Sequence, residues 1–272
     1  TKKLVPNWDY SPSLESTSHI TILPRYELFI NNEWVKPTSK KYFKTTNPAT
    51  EEVLSESAWA NDKDVDLAVK AARKAYQDVW SKTTPKERSK YIYRIARLMQ
   101  EQARELSVIE TLDAGKPIRE ARDIDVPLAC NHFFYYAGWA DKLAYAFPNK
   151  KIQSLGVAGQ IIPWNFPILM AVWKIAPALA AGNCVLAKPS EVTPYTAFLL
   201  AELCSKAGLP KGVLNIVNGL GSSTGQAIVE HPNIKAISFT GGTKTGEAIA
   251  RKAAPMFKKL SLELGGKNPC II

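Results

Sequence analysis

Residues Leu155 to Glu191 read LGVAGQIIPWNFPILMAVWKIAPALAAGNCVLAKPSE, and their punctuation decides the fold. The apolar run Gly156–Ile162 stops at Pro163. A second break follows at Asn165, Phe166 and Pro167. Ile168–Ala181 is apolar, Ala-rich and long enough for a helix, and Gly182-Asn183 ends it. Cys184–Ala187 is a second short apolar run, closed by Lys188-Pro189. Strand, loop, helix, turn, strand is a βαβ unit with parallel strands. In such sheets ligands sit beyond the carboxyl ends of the strands. That places Trp164, Asn165, Lys188 and Glu191 on one rim.

Downstream the alternation continues. Pro194–Ala207 is predicted helical and Val213–Val217 extended. Asn218–Gly225 is a Gly-rich loop opening a helix that ends near His231-Pro232. Ala236–Phe239 is the next strand, Thr240–Gly246 a second Gly-rich loop before a helix to about Ala254, and Lys259–Leu262 a last strand ending at Glu263. This predicts an α/β fold: a doubly wound, mostly parallel, Rossmann-like sheet with helices on both faces. Upstream, Leu28–Ile30 and Glu33–Val35 flank Asn31-Asn32, a hairpin signal. Asn47–Thr50 is a turn before a strand at Glu52–Ser57. From Asn61 the period becomes helical, with a stripe of Val65, Val69, Ala72, Tyr76 and Val79. Pro85 starts a second helix with Tyr91, Ile95, Leu98, Met99 and Ala103 inward. Leu106–Leu112 is helical and ends at Asp113-Ala114-Gly115-Lys116-Pro117. Ile118–Lys142 is a further helix, with Ile124, Leu128 and Phe134 inward. Its aromatic run Phe133–Tyr136 reads either as a substrate tunnel or, better, as packing.

A chain of 272 residues with 46% hydrophobic residues buries a substantial core. Ile161–Ala181 is the nearest approach to a membrane span, and prolines and Asn165 interrupt it. The net charge of +10 comes from lysines and arginines interleaved with acids, without stacking aromatics, so no nucleic-acid partner is expected. Cys130, Cys184, Cys204 and Cys270 show no CxxC spacing and no histidine cluster. No metal site is expected, all four read as buried structural thiols, and a cytoplasmic location follows from the sparse cysteines. Thr1–Pro24 reads as a surface leader without a secretory core.

The PWNFP loop, the KPSE loop, FTGGTKTG and LELGGK, in that order, resemble the aldehyde dehydrogenase superfamily over roughly Tyr26–Ile272. The resemblance implies a dinucleotide-binding domain over 25–143 and 155–264, with a shortened oligomerisation arm at 144–154. It implies that 265–272 opens a catalytic domain left incomplete, because the family's nucleophilic cysteine lies beyond LELGGK. The leader and short arm are similar to the family 16 branch, and imply a homo-oligomer that is a dimer rather than an arm-linked tetramer. The cofactor implied is NAD, with contacts at Ile161, Ile162, Pro163, Trp164, Lys188, Ser190, Glu191, Gly221, Gly225, Phe239, Thr240, Gly241, Gly242, Leu264 and Gly265. Many relatives carry Ser where Gly242 stands, which leaves phosphate to the backbone there.

Two residues carry the chemistry that the resemblance implies. A loop amide at Asn165 would face the oxyanion of an aldehyde adduct. A strand-end carboxylate at Glu263, partly desolvated and so raised in pKa, would be the general base. The implied reaction oxidises a small-molecule aldehyde to a carboxylic acid through a cysteine thioester. Two alternatives remain open on sequence alone: a non-catalytic NAD-binding or scaffold protein, and an acyl-transfer activity without hydride.

Overall fold

The structure, a computed structural model, describes residues 17–271. In chain order its elements are β1 Arg25–Tyr26, β2 Leu28–Ile30, β3 Glu33–Val35, β4 Tyr42–Thr46, β5 Val53–Ala58, α1 Asp62–Asp78, α2 Pro85–Glu101, α3 Ala103–Ala114, α4 Ile118–Glu120, α5 Val126–Ala140, α6 Leu143–Ala146, β6 Val157–Ile161, α7 Pro167–Ala180, β7 Cys184–Lys188, α8 Tyr195–Lys206, β8 Leu214–Ile216, α9 Gln226–Glu230, β9 Ala236–Thr240, α10 Thr243–Ala253 and β10 Lys259–Glu263.

Local chemistry sets most boundaries. Asn31 and Asn32 take φ of 57° and 60°, the left-handed pair that a two-residue hairpin requires. Asn61 and Asp64 form a reciprocal capping box at the start of α1, and Thr84 and Glu87 do so for α2, with Pro85 at the first helical position. Gly182, at φ 80°, ends α7. The Asn183 side chain then accepts from the Leu155 and Gly156 amides at 2.8 and 3.2 Å, tying that helix end to the start of β6.

The main sheet has seven strands in the order β10-β9-β6-β7-β8-β2-β3. The first five are parallel and the β2–β3 hairpin closes the edge antiparallel. The chain steps outward through β6, β7 and β8, then returns to lay β9 on the other side of β6. The order reverses between β6 and β9, the position at which open α/β sheets hold ligands. α1, α9 and α10 cover one face; α7 and α8, backed by α2, α3 and α5, cover the other. β6 and β7 are buried along their whole length, as strands covered on both faces are.

Several expectations change. A second sheet, β1-β5-β4, pairs segments the sequence left separate. Val79 is exposed, because α1 has ended and the residue is its cap. Ile124 and Leu128 are exposed as well: a π turn at Ala121–Asp125 rotates the helix, and Val126, Ala129 and Phe133 face inward instead. The aromatic run divides by helical geometry, with Phe133 buried, Phe134 edge-on to Tyr93, and Tyr135 exposed. Between α6 and β6 no strand forms among the described residues. Residues 1–16 of the expected leader lie outside the described residues.

Candidate functional site

The carboxyl ends of β6, β7, β9 and β10 open onto one cavity of about 1000 Å³. Its wall includes Asn165, Glu263 and every residue taken from the sequence as a cofactor contact. Four loops separated by up to a hundred residues in sequence meet because each follows a parallel strand. The volume lies at the upper end of small-molecule pockets, about 300–1,000 Å³.

The glycines divide into two kinds. A Cβ on Gly241 would stand 2.5 Å from the Phe239 ring, and one on Gly246 would stand 2.4 Å from Leu264. Gly241 is demanded by packing within its own strand-end turn, and Gly246, in α10, by the Leu264 side chain that follows β10. Gly221 and Gly242 face open space, so nothing within the chain demands glycine there. What a missing side chain leaves at those positions is access to backbone N–H groups. Gly242 caps α10 with no side-chain hydrogen bond, so the first-turn amides of that helix are left for an anion.

Lys188 is 2% exposed, and burial lowers its pKa while Glu191 pulls it back up. Its Nζ donates to the Pro189 carbonyl at 2.7 Å and to Glu191 Oε2 at 3.2 Å. The pair is therefore not a solvated turn pair: the lysine is sunk beneath the loop and leaves the half-buried carboxylate at the cavity wall. Trp164 is 62% exposed at the rim and Asn165 is exposed beside it.

Glu263 departs from expectation. It is exposed, since β10 pairs only with β9 and nothing among the described residues covers its outer side; the anticipated desolvation is absent. Its carboxylate accepts from the Thr240 hydroxyl at 3.3 Å. Lys174, which sequence reasoning missed, donates to Thr240 Oγ1 at 2.8 Å and to Ser238 Oγ at 3.1 Å. Burial holds that lysine down to about 8 against the pull of Glu263. A lone lysine in the apolar segment Ile168–Ala181 was the available signal. The wall contributed by α10, including Lys244, Thr245 and Ile249, was also missed, because its residues carry no motif.

No cysteine lines the cavity among the described residues. Cys130, Cys184 and Cys204 are buried and unpaired, and burial pushes their thiols up, that of Cys130 to about 11. Cys270 corrects the sequence reading. It is exposed, because the chain leaves the sheet after Glu263 and forms no strand through Ile271. No helix among the described residues is long and apolar enough to cross a membrane. No group of ligating side chains there could hold a metal ion.

The chain was compared with known proteins. The model of the aldehyde dehydrogenase family matches residues 34–272. An aldehyde dehydrogenase of Alternaria alternata is 45% identical over 254 residues, covering 90% of this chain and 51% of that protein. The mitochondrial aldehyde dehydrogenase of Rattus norvegicus is 45% identical over 259 residues, covering 90% and 50%. The solved NAD+ complex of an aldehyde dehydrogenase from Bacillus cereus superposes with a TM-score of 0.86 at 44% identity, covering 90% of this chain and 52% of that one. The chain thus spans about half the length of the curated relatives it matches. With its parallel sheet, its four strand-end loops and this match, the chain belongs to the aldehyde dehydrogenase family.

Proposed function

We propose that this chain is the NAD-binding and part of the catalytic apparatus of an enzyme that oxidises a small-molecule aldehyde to a carboxylic acid through a cysteine thioester. The observation that carries the reading is convergence. The Asn165 loop, the Lys188–Glu191 loop, the glycine loop before α10 and Glu263 all line one cavity at the reversal of strand order. NAD, when bound, supplies the hydride acceptor. The first-turn amides of α10 and its glycine loop hold the pyrophosphate, and Glu191 accepts from the adenosine ribose hydroxyls. Its carboxylate repels a 2′-phosphate, so NAD is preferred over NADP. The Asn165 amide donates to the oxyanion of the adduct. Glu263, steadied by the Thr240 hydroxyl, takes a proton from the hydrolytic water. Residues 25–143 and 155–264 form the dinucleotide-binding part. The absence of a strand between α6 and β6 supports a dimer over an arm-linked tetramer. Four unpaired cysteines support a cytoplasmic, reducing setting.

The test uses the full-length protein. Glu263→Gln is expected to abolish steady-state turnover while the NAD titration stays within about twofold; retained turnover removes Glu263 from the base role. In titrations of the parent, NAD is expected to bind about tenfold tighter than NADP, the effect of one unfavourable charge contact of about 1.4 kcal/mol. Equal affinities would remove Glu191 as the discriminator. A second reading is an NAD-binding protein without catalysis. It predicts NAD binding with no turnover in any length of the protein.

A further inference from the structure

α7 and α8 begin immediately after the two loops that carry Asn165 and Glu191, and neither helix can cap itself. α7 starts at Phe166-Pro167 and α8 at Pro194-Tyr195, with no side-chain cap from either N-cap residue. The orphan first-turn amides of buried helices need acceptors from elsewhere. Both acceptors come from α3. Glu110, 0% exposed, accepts from the Ile168 amide at 3.3 Å through one oxygen and 3.4 Å through the other. Asp113, 2% exposed, accepts from the Tyr195 amide at 2.9 Å. The two acids stand three positions apart on one helix, hence on one face.

The turn that ends α3 adds a third contact. Lys116 Nζ lies 3.9 Å from the centre of the Phe166 ring, next to Asn165, and pairs with the buried Asp125 of the π turn. At their other ends the same two loops leave β6 and β7, whose positions the sheet sets. Each loop is therefore held at two points, one in the sheet and one on α3. Asp113 keeps its second oxygen without a hydrogen-bond partner, and the Thr196 hydroxyl beside Glu110 likewise makes no hydrogen bond of ordinary geometry. A carboxylate retained in an apolar layer under those conditions costs stability. Some gain from the loops it holds must offset that.

We propose that Glu110 and Asp113 are positioning residues, and that one turn of α3 sets the spacing between the oxyanion loop at Asn165 and the ribose-contacting loop at Glu191. Neither acid touches the cavity; each acts through a helix start. The inference rests on the cofactor reading above, and its test separates the two.

Four variants of the full-length protein are compared with the parent: Glu110→Ala, Glu110→Gln, Asp113→Ala and Asp113→Asn. Phe29→Leu, in the hairpin at the far edge of the sheet, serves as a control for general loss of stability. Amide exchange is followed at Ile168 and Tyr195, NAD affinity by titration, and global stability by urea unfolding. Each alanine variant is expected to speed exchange about tenfold at the amide it uncaps, the equivalent of one buried hydrogen bond, and to weaken NAD several-fold. Gln and Asn keep an acceptor oxygen and restore both readouts to within twofold. The control lowers the urea midpoint and moves neither local exchange nor NAD affinity. Alanine variants that lose only global stability, with exchange and NAD affinity tracking the control, overturn the proposal. Gln and Asn variants as impaired as alanine overturn it too. If the parent binds no NAD while the exchange pattern holds, the cofactor reading fails and α3 still sets the loop spacing.

Discussion

Glu110 shows how much a single residue can reveal about its surroundings. Burial raises its pKa from the ordinary 4.5 to about 7, with Asp125 pushing the same way and Lys116, the Ile168 amide and Thr196 opposing. Asp113, one turn away, is raised well above its ordinary value by the same burial and by Glu110. A carboxyl that binds its proton more tightly when folded contributes stability that is present below pH 4.5 and lost as pH rises through about 7. Glu110→Gln is therefore expected to flatten the decline in unfolding free energy between about pH 5 and pH 7.5. The decline from this group is on the order of 3 kcal/mol. Urea midpoints at several pH values read it, and parallel pH profiles for parent and variant would show that Glu110 does not titrate there. None of this could be read from ETLDAGKP. The partners of Glu110 and Asp113 lie 58 and 82 residues away, beyond the reach of any local pattern. Asn165 and Glu191 were legible as rim positions because proline and strand-end context marks them in the sequence itself, whereas their roles came from the family resemblance alone. Glu263 was legible as a position but not in its exposure, which depends on what stands beside β10.

At the scale of elements, legibility followed covalent proximity. The β6–α7–β7 unit and the Asn31-Asn32 hairpin were read with their boundaries nearly right, since each is a contiguous segment bounded by glycine, asparagine or proline. The β1–β5 pairing was not read, because Arg25 meets Glu56 across a distance that no periodicity encodes. The outward turn of Ile124 and Leu128 was missed for a related reason: apolar spacing defines a face but not the partner, and the π turn shifts that face. The starts of α1 and α2 were readable to within a residue, because Asn61 and Pro85 mark them locally. Asn61 accepts from the Lys63 and Asp64 amides while Asp64 returns a bond to the Asn61 amide, and Asn61 also accepts from the Thr38 hydroxyl. Asn61→Ala is expected to cost about 1–2 kcal/mol in urea unfolding. A loss below a few tenths would mean that Asp64, which also accepts from the Thr38 amide, anchors α1 alone.

For the whole molecule, the proposed cofactor acts as a linkage partner. A ligand that spans the β6–β9 reversal touches loops carried by four strands, so its binding stabilises the sheet as a unit. At a concentration a hundredfold above its Kd, NAD is expected to add about 2.7 kcal/mol. That raises the thermal midpoint by roughly 5 °C. An unchanged midpoint in saturating NAD would separate this fold from dinucleotide binding altogether.

The reversal of strand order also has a temporal consequence. Ala158 of β6 pairs with Val185 on one side and with Ala236 on the other. As the chain is synthesised, its first neighbour is available soon after β6 itself emerges, but the second follows only after β8 and α9 have been made. In that interval a strand that ends up inside the finished sheet is an edge, with half its amides and carbonyls unpaired and its apolar flank uncovered. A strand buried on both faces in the native protein is thus a vulnerable one on the ribosome. Slower elongation between Lys188 and Thr240 would lengthen its exposure to misfolding rather than relieve it.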